Sequence, residues 1–149
     1  MYLTQQTDYA LRVLMYAAVN NEGLVNIAAI AQTYGISKSH LMKVVTLLVK
    51  GGFLASVRGK GGGLKLAQPP EHIRVGAVVR VCEPMPLVEC FGENNRCLIT
   101  ESCRLSSILQ GGLKAFLNHL DGFTVADLIN KPTHDILYSP RIPIAVEDA

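Results

Sequence analysis

Residues 27–67 constrain the fold more than any other stretch. Ile27, Ile30 and Ala31 mark a short amphipathic helix that Gly35 ends, and Ser37 is a good N-cap for a second helix that turns Leu41, Val44, Val45 and Leu48 inward. Gly51-Gly52 stop that helix. Residues 53–58 and 63–67 then read as two short strands around the glycine-rich, basic tip Gly59-Lys-Gly-Gly62. Two helices about a tight glycine-containing turn are the signature of a helix-turn-helix, and a hairpin placed directly after it makes a winged helix. The expected fold is therefore mainly α with a small β-hairpin wing.

The flanking segments add helices. Tyr9, Ala10, Val13, Leu14, Tyr16, Ala17 and Ala18 recur at helical spacing over 4–20, with Thr4 or Thr7 as the cap. Val75, Val78, Val79 and Cys82 form an i, i+3, i+4, i+7 stripe over 73–83, which Pro84 and Pro86 bring to an end. A long helix from 104 to about 120 carries Leu105, Ile108, Leu109, Leu113, Phe116, Leu117 and Leu120. That apolar face exceeds what a small winged helix needs to cover, so a second copy, and hence a homodimer, is the expected partner. Residues 124–129 read as one more short helix. The division expected is a winged helix-turn-helix DNA-binding domain over 1–83, a cysteine loop over 84–104, a dimerisation helix region over 105–130 and an irregular tail over 131–149, where Pro132, Pro140 and Pro143 fall. The chain shows neither a basic leader followed by an apolar stretch nor a run of about 18 apolar residues, so no membrane association and a cytoplasmic location are expected.

Charge indicates what the winged helix meets. Between Gly23 and Pro70 stand Lys38, Lys43, Lys50, Arg58, Lys60 and Lys65 without a single Asp or Glu, a local +6 in a chain whose net charge is +2. Such a field faces a polyanion. In a helix-turn-helix the second helix enters the major groove N-terminus first, which makes Ser37, Lys38, Ser39, His40 and Lys43 candidates for base and phosphate contacts. Arg58 and Lys60, at the wing turn, are placed to reach an adjacent minor groove or the backbone. The glycine-rich tip is not a nucleotide-binding loop, because Lys60 is followed by Gly61 where a Walker motif requires Ser or Thr.

The other chemistry lies in the loop. Cys90, Cys97 and Cys103 fall within fourteen residues of a chain with four cysteines, spaced Cys-x6-Cys-x5-Cys. Structural zinc sites favour close Cys-x2-4-Cys pairs, whereas longer spacers suit an iron–sulfur cluster spanning several irons. Zinc and bare redox thiols remain open on spacing alone. Cys82 reads as a buried small hydrophobe. Glu89, Glu101 and Ser106 are nearby oxygen donors. No paired carboxylates share a motif and no nucleophile has an identifiable base, so an enzyme is not expected. An electron carrier or a zinc-stabilised interaction module would leave the basic winged helix unexplained.

Together, Tyr2-Leu-Thr, Thr7-Asp-Tyr-Ala-Leu-Arg12, the wing Val57-Arg-Gly-Lys-Gly-Gly-Gly63 and the cysteine triplet resemble the winged-helix family of iron–sulfur repressors over residues 1 to about 130. Ile73-Arg-Val-Gly-Ala-Val-Val79, Leu87-Val, Cys97-Leu-Ile-Thr100 and Cys103-Arg-Leu105 are more similar to its nitric-oxide-sensing, NsrR-type branch than to its cluster-assembly branch, IscR. The latter has a histidine three residues after the last cysteine, where this chain has Ser106. The resemblance implies a 4Fe–4S cluster held by Cys90, Cys97 and Cys103, with Asp8 of a partner subunit as the fourth ligand. It also implies a homodimer that represses from operator DNA and releases it when nitric oxide attacks the cluster. The alternative it carries is a 2Fe–2S regulator responding to cluster supply or redox state.

Overall fold

The computed structural model describes residues 2–138 and contains six α-helices and one two-stranded sheet among them. Helix α1 (Gln5–Val19) buries Thr7, Ala10, Val13, Leu14 and Ala17 and packs against α3 (Lys38–Lys50), while Tyr34 of α2 (Ile27–Tyr34) meets it edge-on through Tyr16. Asn26 caps α2 by accepting from the Ala28 N–H at 2.7 Å. Gly35 closes α2 at φ 65°, a left-handed conformation that glycine adopts without the steric penalty of a side chain. Ser37 caps α3, its Oγ accepting from the His40 N–H at 3.3 Å. Leu41, Val44, Val45 and Leu48 are buried as their spacing requires.

Strands β1 (Leu54–Val57) and β2 (Gly63–Leu66) pair antiparallel, with Leu54 opposite Leu66 and Val57 opposite Gly63. Val25 adds a one-residue bridge to Leu64, so the hairpin is stitched to the segment ahead of α2. The strands are shorter than expected and leave Arg58 in the turn. Gly62 donates to the Gly59 carbonyl at 3.0 Å, and a Cβ on Gly62 would strike the Val57 carbonyl, so the tip needs glycine there. This arrangement is the winged helix-turn-helix expected from the sequence.

Helix α4 (Val75–Cys82) packs on α1 and carries α5 (Arg104–Asp121) on its other side. Two backbone bonds clip the ends of this pair. Val75 donates to Phe123 and Val125 donates to Ile73, each at 2.9 Å. Arg80 grips Asp121 with both terminal guanidinium nitrogens, Nη1 at 2.6 Å and Nη2 at 2.8 Å.

Two expectations need correction. Thr4 occupies the N-cap of α1, but its side chain does not cap, and neither does that of Thr7. Both hydroxyls instead donate to Glu83 Oε1, across 79 and 76 residues of sequence. The tail expected to be irregular from 131 begins with a helix, α6 (Lys131–Leu137). Pro132 lies in its first turn, where a missing N–H costs nothing, and Asn130 caps it by accepting from Thr133 at 2.9 Å. Leu137 returns to the core beside α1. Pro140 and Pro143 lie outside the described residues. No helix among the described residues is long and apolar enough to cross a membrane.

Candidate nucleic-acid interface and cysteine loop

The outward face of α3 is built by exclusion. Its inward stripe is consumed by the core, so Lys38, Ser39, His40, Met42, Lys43 and Thr46 are left exposed, together with the capping Ser37. Ser37 has one lone pair committed to the cap, and its hydroxyl lies 3.4 Å from that of Ser39, so the two form a hydroxyl pair at the helix N-terminus. His40 faces the Tyr9 ring of α1, with centroids 6.4 Å apart. Met42, 54% exposed, is the residue on this face that charge-based reading overlooks. Arg58 and Lys60 are exposed at the wing, which follows α3 after three residues. Such a face offers cations, hydroxyl groups and a helix N-terminus, the groups that bind phosphates and base edges.

Behind α3, Arg12 joins several groups. Its guanidinium pairs with Asp8 through Nε at 3.1 Å and Nη2 at 2.8 Å. It also lies over the rings of Tyr9 and Tyr34, 5.8 and 5.7 Å from their centroids. Burial pushes the Tyr34 phenol up to about 12, more than Arg12 lowers it, so Tyr34 stays neutral while donating to the Arg12 carbonyl at 3.0 Å. Asp8, Arg12, Tyr9 and His40 thus form a continuous path from the first turn of α1 to the first turn of α3.

The cysteine loop runs from Glu83 to Cys103 with short 3-10 turns at Glu89–Phe91 and Thr100–Ser102. It is held by its own polar residues. Glu89 accepts from the Arg96 N–H at 2.7 Å, Asn95 from the Cys97 N–H at 3.0 Å, and Thr100 donates to the Cys97 carbonyl at 2.8 Å. Cys97 is exposed and Cys90 and Cys103 are half-buried; all are free thiols. Among the described residues, no three His, Cys, Asp or Glu side chains converge on a point where a metal could sit. The loop supplies three accessible soft donors, and Cys90 opens on a hollow of about 440 Å³ shared with Arg80 and Lys114. In kind and accessibility these donors fit an iron–sulfur cluster. Their gathering would have to accompany its binding, as is common where a site is not preformed.

Cys82 stands apart. It is buried, and burial followed by the neighbouring Glu83 charge pushes its thiol up to about 11, against the opposing effect of Thr7. Glu83 itself is raised by burial but lowered further by the Thr7 hydroxyl and by the N–H and hydroxyl of Thr4, so its carboxyl lies below the ordinary range. Sequence reading missed this cluster. The available signal was an acid at a helix C-terminus, where the dipole disfavours one.

Comparison with known proteins gives this geometry its setting. The Rrf2 family, described as "Iron-dependent Transcriptional regulator", matches residues 3–131. The fold is similar to that of CymR (YrzC), the global cysteine regulator of B. subtilis, at 27% identity and a TM-score of 0.65, covering 86% of this chain and 95% of that one. It is equally similar to T. potens IscR, at 28% identity and a TM-score of 0.66, covering 86% and 85%. The oxidized form of S. aureus CymR, at 24% identity and a TM-score of 0.68 over 86% and 95%, shares the fold. The fold is shared with these regulators over most of each chain, the family match spans nearly all of the described residues, and the chain belongs to the Rrf2 family of iron-dependent transcriptional regulators, which are not enzymes.

Proposed function

We propose that this regulator is a homodimeric repressor that binds operator DNA through α3 and the wing and lets go in response to nitric oxide at an iron–sulfur cluster. The observation that carries the DNA half is the acid-free basic segment, whose Ser37, Lys38, Ser39, His40, Lys43, Arg58 and Lys60 are all exposed. Residues 1–83 read DNA on this reading, 84–104 hold the cluster and 105–130 supply the dimer helix. The dimer is supported by α5, an 18-residue helix with no buried residue, on which Ile108 is 63% exposed.

Cys90, Cys97 and Cys103 are the thiolate ligands, and Asp8 is lent by a second copy of the chain. Bound there, the cluster, 4Fe–4S in the favoured form, supplies an oxygen-ligated iron that is open to nitric oxide. The protein's own part is a choice made by Asp8. In one chain both Asp8 oxygens pair with Arg12, so an Asp8 lent to a second copy weakens or re-aims that pair, and an Asp8 returned to Arg12 restores it. Since Arg12 lies against Tyr9 and Tyr34, and Tyr9 faces His40, that exchange reaches the DNA-reading helix. A change of about 3 kcal/mol in the pre-organised state alters operator affinity roughly a hundredfold. The test is operator affinity of cluster-loaded, cluster-free and nitric-oxide-treated protein at one salt concentration, and equal affinities would refute the sensing role.

Likeness to T. potens IscR favours a second reading, a regulator of cluster supply or redox state with a 2Fe–2S cluster. Ser106, in place of the histidine of that branch, weighs against it. Iron and sulfide content of anaerobically purified protein separates the two.

A further inference from the structure

We infer that Met42 is a specificity residue that reads the C5-methyl group of a thymine in each operator half-site. The inference rests on the assignment of α3 as the DNA-reading helix and says what that helix selects. Ser39, Met42, Lys43 and Thr46 follow i, i+3, i+4, i+7 spacing and are all exposed, so they share one outward stripe of α3. Met42 belongs to no core cluster of the described residues, yet it sits at the middle of a basic, hydroxyl-bearing stripe with more than half its surface in water.

The polar residues around it are partly committed. Thr46 donates its hydroxyl proton to the Met42 carbonyl at 2.8 Å, and Ser37 spends an acceptor position on the helix cap. Lys43 remains free for a guanine edge or a phosphate, which leaves Met42 as the stripe's apolar element. In the major groove the apolar feature that distinguishes one base pair from the others is the thymine methyl; cytosine presents an amino group and no methyl. An unbranched thioether side chain adapts its shape to such a methyl without demanding a hydrogen bond. A second copy of the chain is a poor alternative occupant, because pairing two such faces would bring two +6 segments together.

The test uses full-length, anaerobically purified protein and a duplex enriched from a random pool. Each thymine of the enriched duplex is replaced in turn by deoxyuridine, which removes the methyl and nothing else. One position per half-site is expected to lose affinity roughly fourfold, the loss of one buried methyl. Met42→Ala is expected to bind the thymine and deoxyuridine duplexes equally at that position, while Met42→Leu keeps the preference. 5-Methylcytosine there recovers part of what unmodified cytosine loses. A flat deoxyuridine scan, or a Met42→Ala protein that retains the same loss, overturns the inference. Lys43→Ala is measured alongside. If it leaves affinity unchanged, the assignment of α3 has failed and the inference with it. If it weakens binding while the scan stays flat, the methyl contact alone has failed.

Discussion

Glu83 joins the first turn of α1 to the start of the cysteine loop, and a double-mutant cycle measures that link. Its Oε1 accepts from the Thr4 N–H, the Thr4 hydroxyl at 2.9 Å and the Thr7 hydroxyl. Thr7 is fully buried, so Glu83→Ala strands a hydroxyl away from water. An unsatisfied buried donor costs about 1–3 kcal/mol, and the charge-assisted bonds of a part-exposed carboxylate add about 1 kcal/mol more. We expect Glu83→Ala to lower stability by about 2–4 kcal/mol and Thr7→Val by about 1–2 kcal/mol. The double variant should fall short of their sum by about 1–2 kcal/mol, because removing both partners leaves nothing stranded. Urea unfolding of the cluster-free protein at neutral pH with reductant is the assay. Glu83→Gln keeps the acceptor and loses the charge, so it should cost less than Glu83→Ala. The sign with pH follows from the lowered carboxyl. The charge contribution is complete above the ordinary value of 4.5 and is lost as pH falls below it, since the unfolded chain takes up the proton first. Additivity within about 0.3 kcal/mol would refute the link.

Arg58→Ala or Lys60→Ala should weaken binding about equally across DNA sequences and reduce the salt slope by about 1, whereas a sequence-dependent effect would assign them to base reading. Ile108→Arg should shift the protein to monomer in sedimentation velocity with little change in monomer stability, since the residue is mostly exposed. Alkylation of native, cluster-free protein near pH 8 should modify three of the four cysteines and reach Cys82 only after unfolding. Because the Cys82 thiol lies at about 11 when folded against 9.0 ordinarily, it contributes stability in full below pH 9 and loses roughly 2–3 kcal/mol of it as pH rises to 11. Asp8→Ala should alter both the cluster spectrum and the nitric-oxide response; retention of both would remove Asp8 from the ligand set.

The winged helix was legible because its signals are local. Gly35, Ser37 and Gly51-Gly52 punctuate the helices within a few residues, and the hairpin announces itself through its glycine tip. What escaped was set by partners distant in sequence. Thr4 and Thr7 have the right chemistry for a cap, but Glu83 competes for both hydroxyls from nearly eighty residues away and wins with a full charge. Proline density made the stretch from 131 look irregular, although Pro132 falls in the one helical turn that tolerates it. The clip between residues 73–75 and 123–125 has no pattern a linear reading could find.

The cysteine loop divides the same way. Residue type and spacing identify soft donors, but their arrangement depends on what they meet, and one chain does not gather them. Helix α5 presents the matching deficit, with an apolar stripe complete in sequence and no buried residue along its length. On the proposed reading a second copy settles both, covering α5 and completing the donor set with Asp8. That makes cluster retention and dimerisation one linked equilibrium, since a ligand lent by another chain binds only while the two remain associated. The exchange of Asp8 between Arg12 and the second copy then sets a subunit's own α1 against its neighbour's loop. On that reading a signal at either loop would reach, through the contacts of Arg12 with Tyr9 and of Tyr9 with His40, the proposed DNA-reading helix of the other subunit.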